Sequence, residues 1–462
     1  MFAQTRPAFK QERVFQRANE LAKSLLMTLG KHTITGMLSA GGNQFEDWSA
    51  AYRLFEMERI DQKSLFAPVI SNVSDCLGEY EPLNIMIDDT LARKRGHKVS
   101  GTGWKRDPLG PAFRANIVWS QRYLEISAAL PDLELEGRVR GIPLDFQHAP
   151  TPVKPRKNAT SEDWTEFREL QKKCKISTVG AERLAALREQ VPDRKIICAA
   201  DGGYTNTAMF RSIPENTVLI GRIRKDACLF KVPEKSNGTY RGRIKYYGDK
   251  MPTPEEVRQD DTIPWQQVTA FAAGKQHEFN VKTMAPVRWK CTGERDVIVV
   301  IIQPLAYRPR KGSKLLYRQP AYLICTDVHM SLDQLLQSYL WRWEIEVNIR
   351  DEKTIMGVGE AQVRTEESVQ SVPAFVVACY AYLLLAAHFV KVNADCLLPP
   401  KWQHHKPTDR CSTQKILSIC RAELWGFSEV LNKTGFVTDS SKSRTPFYSL
   451  QSLVSAICYA TK

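Results

Sequence analysis

The sequence predicts an α/β protein with a central sheet, a β-rich insertion inside it, and helical regions at both ends. Three observations carry this. Short apolar runs that end in acids, LNIMIDD (83–89) and RKIICAADGGY (194–204), stand on either side of a charged helical stretch. Residues from about 205 to 328 change to short β-rich runs broken by Gly, Pro and charge. Apolar residues return at helical spacing before residue 80 and after 329. Strands alternating with helices indicate a central sheet, and a cluster of short strands indicates a separate β unit. At roughly 150 residues per domain, a chain of this length divides into two to four units.

Residues 1–80 carry helical periodicity in FQRANELAKSLLMTL, EDWSAAYRLFEMER and QKSLFAPVISNVSDCL. TITGMLSAGGNQ between them predicts a turn, so this region has helix-turn-helix character. The first core segment, 81–204, opens on LNIMIDD. It continues through TLARKRGHKVSGTGWKRDPLG, which holds six Lys/Arg against one acid, Asp107. ANIVWSQRYLEISAALP then predicts two strands with a tight connection, and SEDWTEFRELQKKCK and GAERLAALREQ predict helices. The all-β insertion follows at 205–328 (TVLIGRIR, DVIVVIIQPLAY, PAYLICTD), and a second core segment runs over 329–392. Within it, SVPAFVVACYAYLLLAAHFV meets the length test for a membrane span. Its Pro373, two tyrosines and His388, and its isolation in the chain, predict a buried core helix instead. Residues 393–462 read as a mixed, helical tail.

Composition narrows the function. A hydrophobic content of 43% is ordinary for a globular protein, while 65 Lys+Arg against 51 Asp+Glu gives +14. That balance favours a polyanionic partner, though net charge alone speaks only to non-specific attraction. The eleven cysteines are scattered singly, without C-x-x-C or zinc spacing, and read as reduced thiols of a cytoplasmic protein. His404 and His405 sit in a predicted loop and receive no metal role. The N-terminus lacks the apolar stretch of a signal peptide.

The chemistry concentrates in YLWRWEIEVNIRDEK, residues 339–353. At about 100° per residue, Tyr339, Arg342, Glu346 and Lys353 share an arc of about 60°, while Glu344 and Glu352 fall elsewhere. Such a stripe can be a solvated face with an i,i+4 ion pair. The rest of the chain supplies company for Glu346: Asp88 and Asp89 end one apolar strand and Asp201 ends another. Sites in α/β sheets collect at the carboxyl ends of strands, and carboxylates gathered there repel one another unless cations intervene. Oxygen-only ligands suit Mg²⁺ or Mn²⁺, and two such ions support in-line displacement at a phosphodiester. Taken singly, an Asp after a strand is more often a turn or capping residue.

In order and company, these residues resemble the DDE transposases of bacterial insertion sequences. The likeness is closest to the group with a Y-x2-R-x3-E-x6-K signature, matched here by Tyr339, Arg342, Glu346 and Lys353. IDDT (87–90) and AADGGYTN (199–206) are similar to that family's two aspartate motifs, and the β-rich insertion precedes the glutamate as it does in that group. The resemblance spans roughly residues 80–390. It implies an RNase H-like mixed-sheet core in which Asp88, Asp201 and Glu346 hold two Mg²⁺ or Mn²⁺ ions and act in catalysis, with Asp89 as the alternative to Asp88. It further implies that Tyr339, Arg342 and Lys353 grip phosphates. The basic segment Arg93, Lys94, Arg95, Lys98, Lys105 and Arg106 is a candidate DNA-contacting loop, with a solvated hairpin as its alternative. Trp289 is a candidate for stacking on a flipped base, against the commoner role of buried packing.

The implied activity is cut-and-paste transposition: cleavage at terminal inverted repeats through hairpin ends, then joining to target DNA. The implied partners are element ends, target DNA and a second copy of the chain, with no membrane. The helical N-terminal domain would recognise the ends, and the C-terminal tail would supply dimer contacts. The competing expectations are an RNase H-like structure-specific nuclease and a non-catalytic DNA-binding protein derived from a transposase.

Overall fold

A computed structural model describes residues 1–107, 110, 113, 115–132, 137–233, 245–310, 312–392, 410–426 and 453. The chain opens with a 3-10 turn, Phe2–Ala8, then α1 (Glu12–Met27), α2 (Ile34–Ala40), α3 (Ser49–Glu56) and α4 (Gln62–Asp75). α1 buries Val14, Phe15, Ala18, Leu21, Ala22 and Leu25, one stripe at helical spacing. α2 corrects the expectation of a turn over TITGMLSAGGNQ. The Thr33 hydroxyl caps it by accepting from the Gly36 N–H at 3.0 Å, and Ile34, Met37 and Leu38 bury one side. The turn is confined to the residues around Gly42, whose φ of 79° suits glycine.

Next come β1 (Leu83–Arg93), β2 (Gly103–Arg106), β3 (Ile117–Pro131), β4 (Val139–His148), α5 (Ser161–Lys173), α6 (Ile176–Gln190), β5 (Ile196–Ala200), α7 (Thr207–Arg211) and β6 (Thr217–Arg222). β3 is one continuous strand where two were expected. No Gly, Pro, Asn or Asp interrupts residues 117–130, so nothing there can turn the chain. β1 pairs antiparallel with β3 and parallel with β5; β3 pairs antiparallel with β4, and β5 parallel with β6. The order β4-β3-β1-β5-β6, three antiparallel strands followed by two parallel to β1, is the RNase H-like arrangement.

β7 (Leu229–Lys231), α8 (Pro254–Gln259), β8 (Gln266–Ala272), β9 (Lys275–Trp289), β10 (Asp296–Ile302), β11 (Ala306–Tyr307), β12 (Leu316–Tyr317) and β13 (Ala321–Cys325) follow. The β-rich residues do not form a sheet of their own apart from the small β11–β12 ribbon. β13, β10, β9 and β7 continue outward from β6, so that eleven strands join one sheet among the described residues. Hydrogen bonding is why: β6 offers β13 an open edge, and pairing there satisfies both backbones.

α9 (Leu332–Trp341), α10 (Trp343–Thr354), α11 (Glu366–Phe389) and α12 (Thr413–Leu424) complete the described chain. α11 is long and apolar enough to cross a membrane by composition, yet 83% of its most apolar window is buried inside the fold. It packs on β4, α4, α3 and α12. Each leucine fully buried there contributes about 2 kcal/mol. Phe375 meets Phe55 of α3 edge-on at 5.4 Å, so the N-terminal helices share one core with the sheet. Arg421 of α12 donates to the carbonyls of Leu26 and Thr28 at 2.6 Å each, tying the tail back to α1. His404, His405 and most of the tail expected to carry dimer contacts lie outside the described residues.

Candidate active site

Asp88 and Asp89 do not end their strand as the sequence suggests: β1 stays paired with β3 as far as Arg93, so both acids lie mid-strand, and alternation sends them to opposite faces of the sheet. Asp88, directly across the ladder from Glu125, faces α10. There Arg342 forks between two acids: its Nη1 lies 3.2 Å from Asp88 Oδ2 and its Nη2 2.5 Å from Glu346 Oε1. Asp89 turns to the other face. Its Oδ2 lies 3.2 Å from Arg122 Nε, and Tyr204 donates its phenol to Oδ1 at 3.2 Å. Asp201 follows directly on Ala200, which is level with Ile87 in the parallel ladder, so it emerges beside both aspartates. It is exposed, and one of its carboxylate oxygens accepts the Gly202 N–H.

Burial pushes the Asp88 carboxyl up to about 6. The Asp89 N–H and Arg342 oppose that rise, whereas the charges of Asp89 and Asp201 add to it. Burial also raises Asp89, and Arg122 and the Tyr204 phenol restrain it. Arg342 therefore links Asp88 to Glu346, the Asp201 charge reaches both aspartates, and Asp89 has its own partners on the reverse face.

The spacing predicts one helix through 339–353, but the chain forms two that meet at Arg342. The Arg342 N–H donates to the Tyr339 carbonyl and the Ile345 N–H to the Arg342 carbonyl, each at 3.2 Å. These i to i+3 closures tighten the turn. Tyr339, at the end of α9, is raised by burial and held down by Arg342 and Arg222. Lys353 neighbours Glu352, Arg93 and Asp107 and is lowered by burial. The two acids off the stripe are also engaged. Glu344 receives a two-pronged bond from Arg410, at 2.8 and 2.7 Å. Glu352 is buried against Glu125, and burial raises both carboxyls well above the usual range.

The basic segment divides. Arg95, Lys98 and Arg106 are exposed, and exposed Arg93 pairs with Asp107 at 2.6 Å. Lys94 turns inward and donates to the Gly359 carbonyl at 2.8 Å. Lys105 is brought down to about 8, chiefly by burial and the Arg122 charge, with Asp89 opposing. Trp289 is half-buried, edge-on to Phe210 at 5.8 Å.

Sequence reasoning missed Arg122, Arg222, Glu125 and the role of Tyr204. Only Tyr204 left a trace, three residues after Asp201 in DGGY. The others enter the site through strand pairing. Among the described residues, no three Asp, Glu, His or Cys side chains converge closely enough to hold a metal ion, and the Arg342 guanidinium stands between Asp88 and Glu346. In donor chemistry the three carboxylates fit a hard divalent cation, as oxygen ligands do.

The family model for the DDE superfamily endonuclease matches residues 6–290, a span that holds Asp88, Asp89 and Asp201 and stops before Glu346. No curated protein matches the sequence. With that match over more than half of its length, and with the RNase H-like sheet that carries both aspartates, the chain belongs to the DDE superfamily endonucleases.

Proposed function

We propose that this endonuclease is a cut-and-paste transposase of the hairpin-forming group with the Tyr-Arg-Glu-Lys signature. One observation carries the reading: Arg342 bridges Asp88, midway along β1, to Glu346 one helical turn further along its own chain. That bridge gathers signature and acid motif at one point. Asp88, Asp201 and Glu346 would hold two Mg²⁺ or Mn²⁺ ions, which activate the attacking oxygen and stabilise the leaving one. Arg342 screens the two carboxylates from each other, and its planar fork suits a phosphate equally well. Tyr339 braces that guanidinium, and Lys353 with Arg93 extends the cationic surface beyond the helix.

The DNA substrate would be the terminal inverted repeats of an element, nicked, resolved through hairpins and joined to target DNA by a dimer. The N-terminal helices would read the ends. Asp88, not Asp89, would be the first catalytic aspartate, because it alone shares Arg342 with Glu346.

The test uses the purified chain with Mg²⁺ or Mn²⁺, a labelled duplex carrying the element end, and a Glu346→Gln control. Nicks and hairpins at the element boundary that vanish in the variant are expected. Cutting of branched DNA without regard to ends would favour a structure-specific nuclease. Binding without cutting under either metal would favour a DNA-binding protein.

A further inference from the structure

Trp104, in the basic hairpin, is 62% exposed, which core packing does not explain. It pairs across the ladder with Trp119, and the two rings meet edge-on at 5.6 Å. Trp119 is fixed from behind: its Nε1 donates to the Gly96 carbonyl at 3.1 Å, and the His97 ring lies 5.3 Å away. Trp104 thus rests on a braced support and leaves its own surface open. Arg106 follows Trp104 by two residues on the same strand, and Arg95 and Lys98 flank the Gly96–His97 pair that holds Trp119; all three are exposed, while the nearby acid, Asp107, is engaged by Arg93.

Position connects this platform to the candidate active site. The Lys94 N–H donates to the Trp119 carbonyl, so Trp119 lies across from the residue that follows β1, six places beyond Asp88. Strand rise makes that about 20 Å. Strand alternation puts Trp119, and with it Trp104, on the same face as Glu125 and Asp88. At the roughly 3.4 Å per nucleotide of a stacked strand the platform stands about six nucleotides from the carboxylates, and an extended unpaired strand reaches it in fewer. Exposed aromatic rings among cations bind single-stranded DNA, because every base offers a face for stacking while its phosphates meet the bases of the protein.

We propose that Trp104, backed by Trp119, is a stacking platform for an unpaired DNA strand leaving the active site, with Arg95, Lys98 and Arg106 on its phosphates. The proposal rests on the DNA-cleaving reading above. Paired bases cannot use the platform, since their faces are already stacked. A duplex with a six-nucleotide single-stranded tail should therefore bind better than a blunt duplex.

The experiment measures both affinities at fixed salt, with 2-aminopurine placed along the tail, for the wild type, Trp104→Ala and Trp104→Phe. The wild type should prefer the tailed duplex by roughly tenfold, with quenching confined to one or two positions within the six-nucleotide tail. Trp104→Ala should lose the preference and the quenching yet bind blunt duplex within about twofold, and Trp104→Phe should recover much of both. Blunt-duplex binding with no preference for the tail, or a preference that Trp104→Ala retains, overturns the platform alone. Failure to bind either DNA overturns the DNA reading and the platform with it.

Discussion

Asp88 and Asp89 are neighbours in sequence and occupy two different chemical settings. On one face of β1, Asp88 shares a guanidinium with the acid of a helix. On the other, Asp89 is held by Arg122 from the adjacent strand and by a buried phenol. Both carboxyls are raised by burial, so an electrostatic shift does not separate them. What separates them is the company on each face. The Asp88 face joins its acid through Arg342 to Glu346 of α10, while the Asp89 face holds its acid between Arg122 of β3 and Tyr204 of the loop after β5. A strand buried on both faces can thus give two adjacent acids different partners, and under the proposed function the one joined to Glu346 is the reactive one.

The largest effects should fall on the first face. Asp88→Asn and Glu346→Gln should each reduce metal-dependent cutting on the order of a thousandfold, with binding of the same duplex unchanged. Asp89→Asn should stay within about tenfold of wild type, because an amide can still accept the Tyr204 bond. Single-turnover cleavage compares all three, and an Asp89→Asn loss equal to that of Asp88→Asn would erase the contrast.

Next comes Arg342→Lys, which keeps a cation and loses the fork. A point charge cannot span Asp88 and Glu346 as the guanidinium does, so cutting should fall by roughly ten- to a hundredfold. An unchanged rate would mean that the bridge is incidental to the chemistry. The reverse face predicts stability instead. Arg122→Met removes the nearer of the two cations that act on Asp89, leaving Lys105, and should cost about 2 kcal/mol, read as a lower urea midpoint with an unchanged slope. Arg342→Lys should leave that midpoint nearly where it was.

The same contrast decides what could be read from sequence. The Arg342–Glu346 link was legible because i,i+4 spacing is local and survives the bend between α9 and α10. The bend itself was not, since no Pro or Gly marks Arg342 and the tightening lies in backbone bonds. Asp88 and Asp89 could be placed on an apolar strand but not located within it or assigned to faces, because the polar residues after them stay paired with β3 as far as Arg93 and both sides of β1 are covered. Arg122 and Glu125 were invisible for a related reason. Their roles follow from the register of β3 on β1, and β3 itself read as two strands. The β-rich stretch was recognised by composition, yet its membership in the core sheet depends on β6 accepting β13, two strands about a hundred residues apart.

The smallest expected effect lies beneath the first face, in the pair Glu125–Glu352. Both are buried, each leaves one carboxyl oxygen without a partner, and the Ser127 hydroxyl and the Asn348 amide complete the surroundings. A proton held between the two acids satisfies both orphaned oxygens at once. These acids have folded-state pKa values above the ordinary glutamate value of 4.5, so the folded chain binds protons that the unfolded chain releases. Their contribution is therefore most favourable below 4.5 and is lost as pH rises from there through neutrality. Glu352→Gln replaces the shared proton with an amide that donates to Glu125 at any pH. In chelator, its Tm should exceed that of the wild type by about 2 °C at pH 8.5, and the difference should vanish near pH 4.5. Equal displacements at the two pH values would show that Glu352 acts through shape, leaving the sheet face under Asp88 without a proton to share.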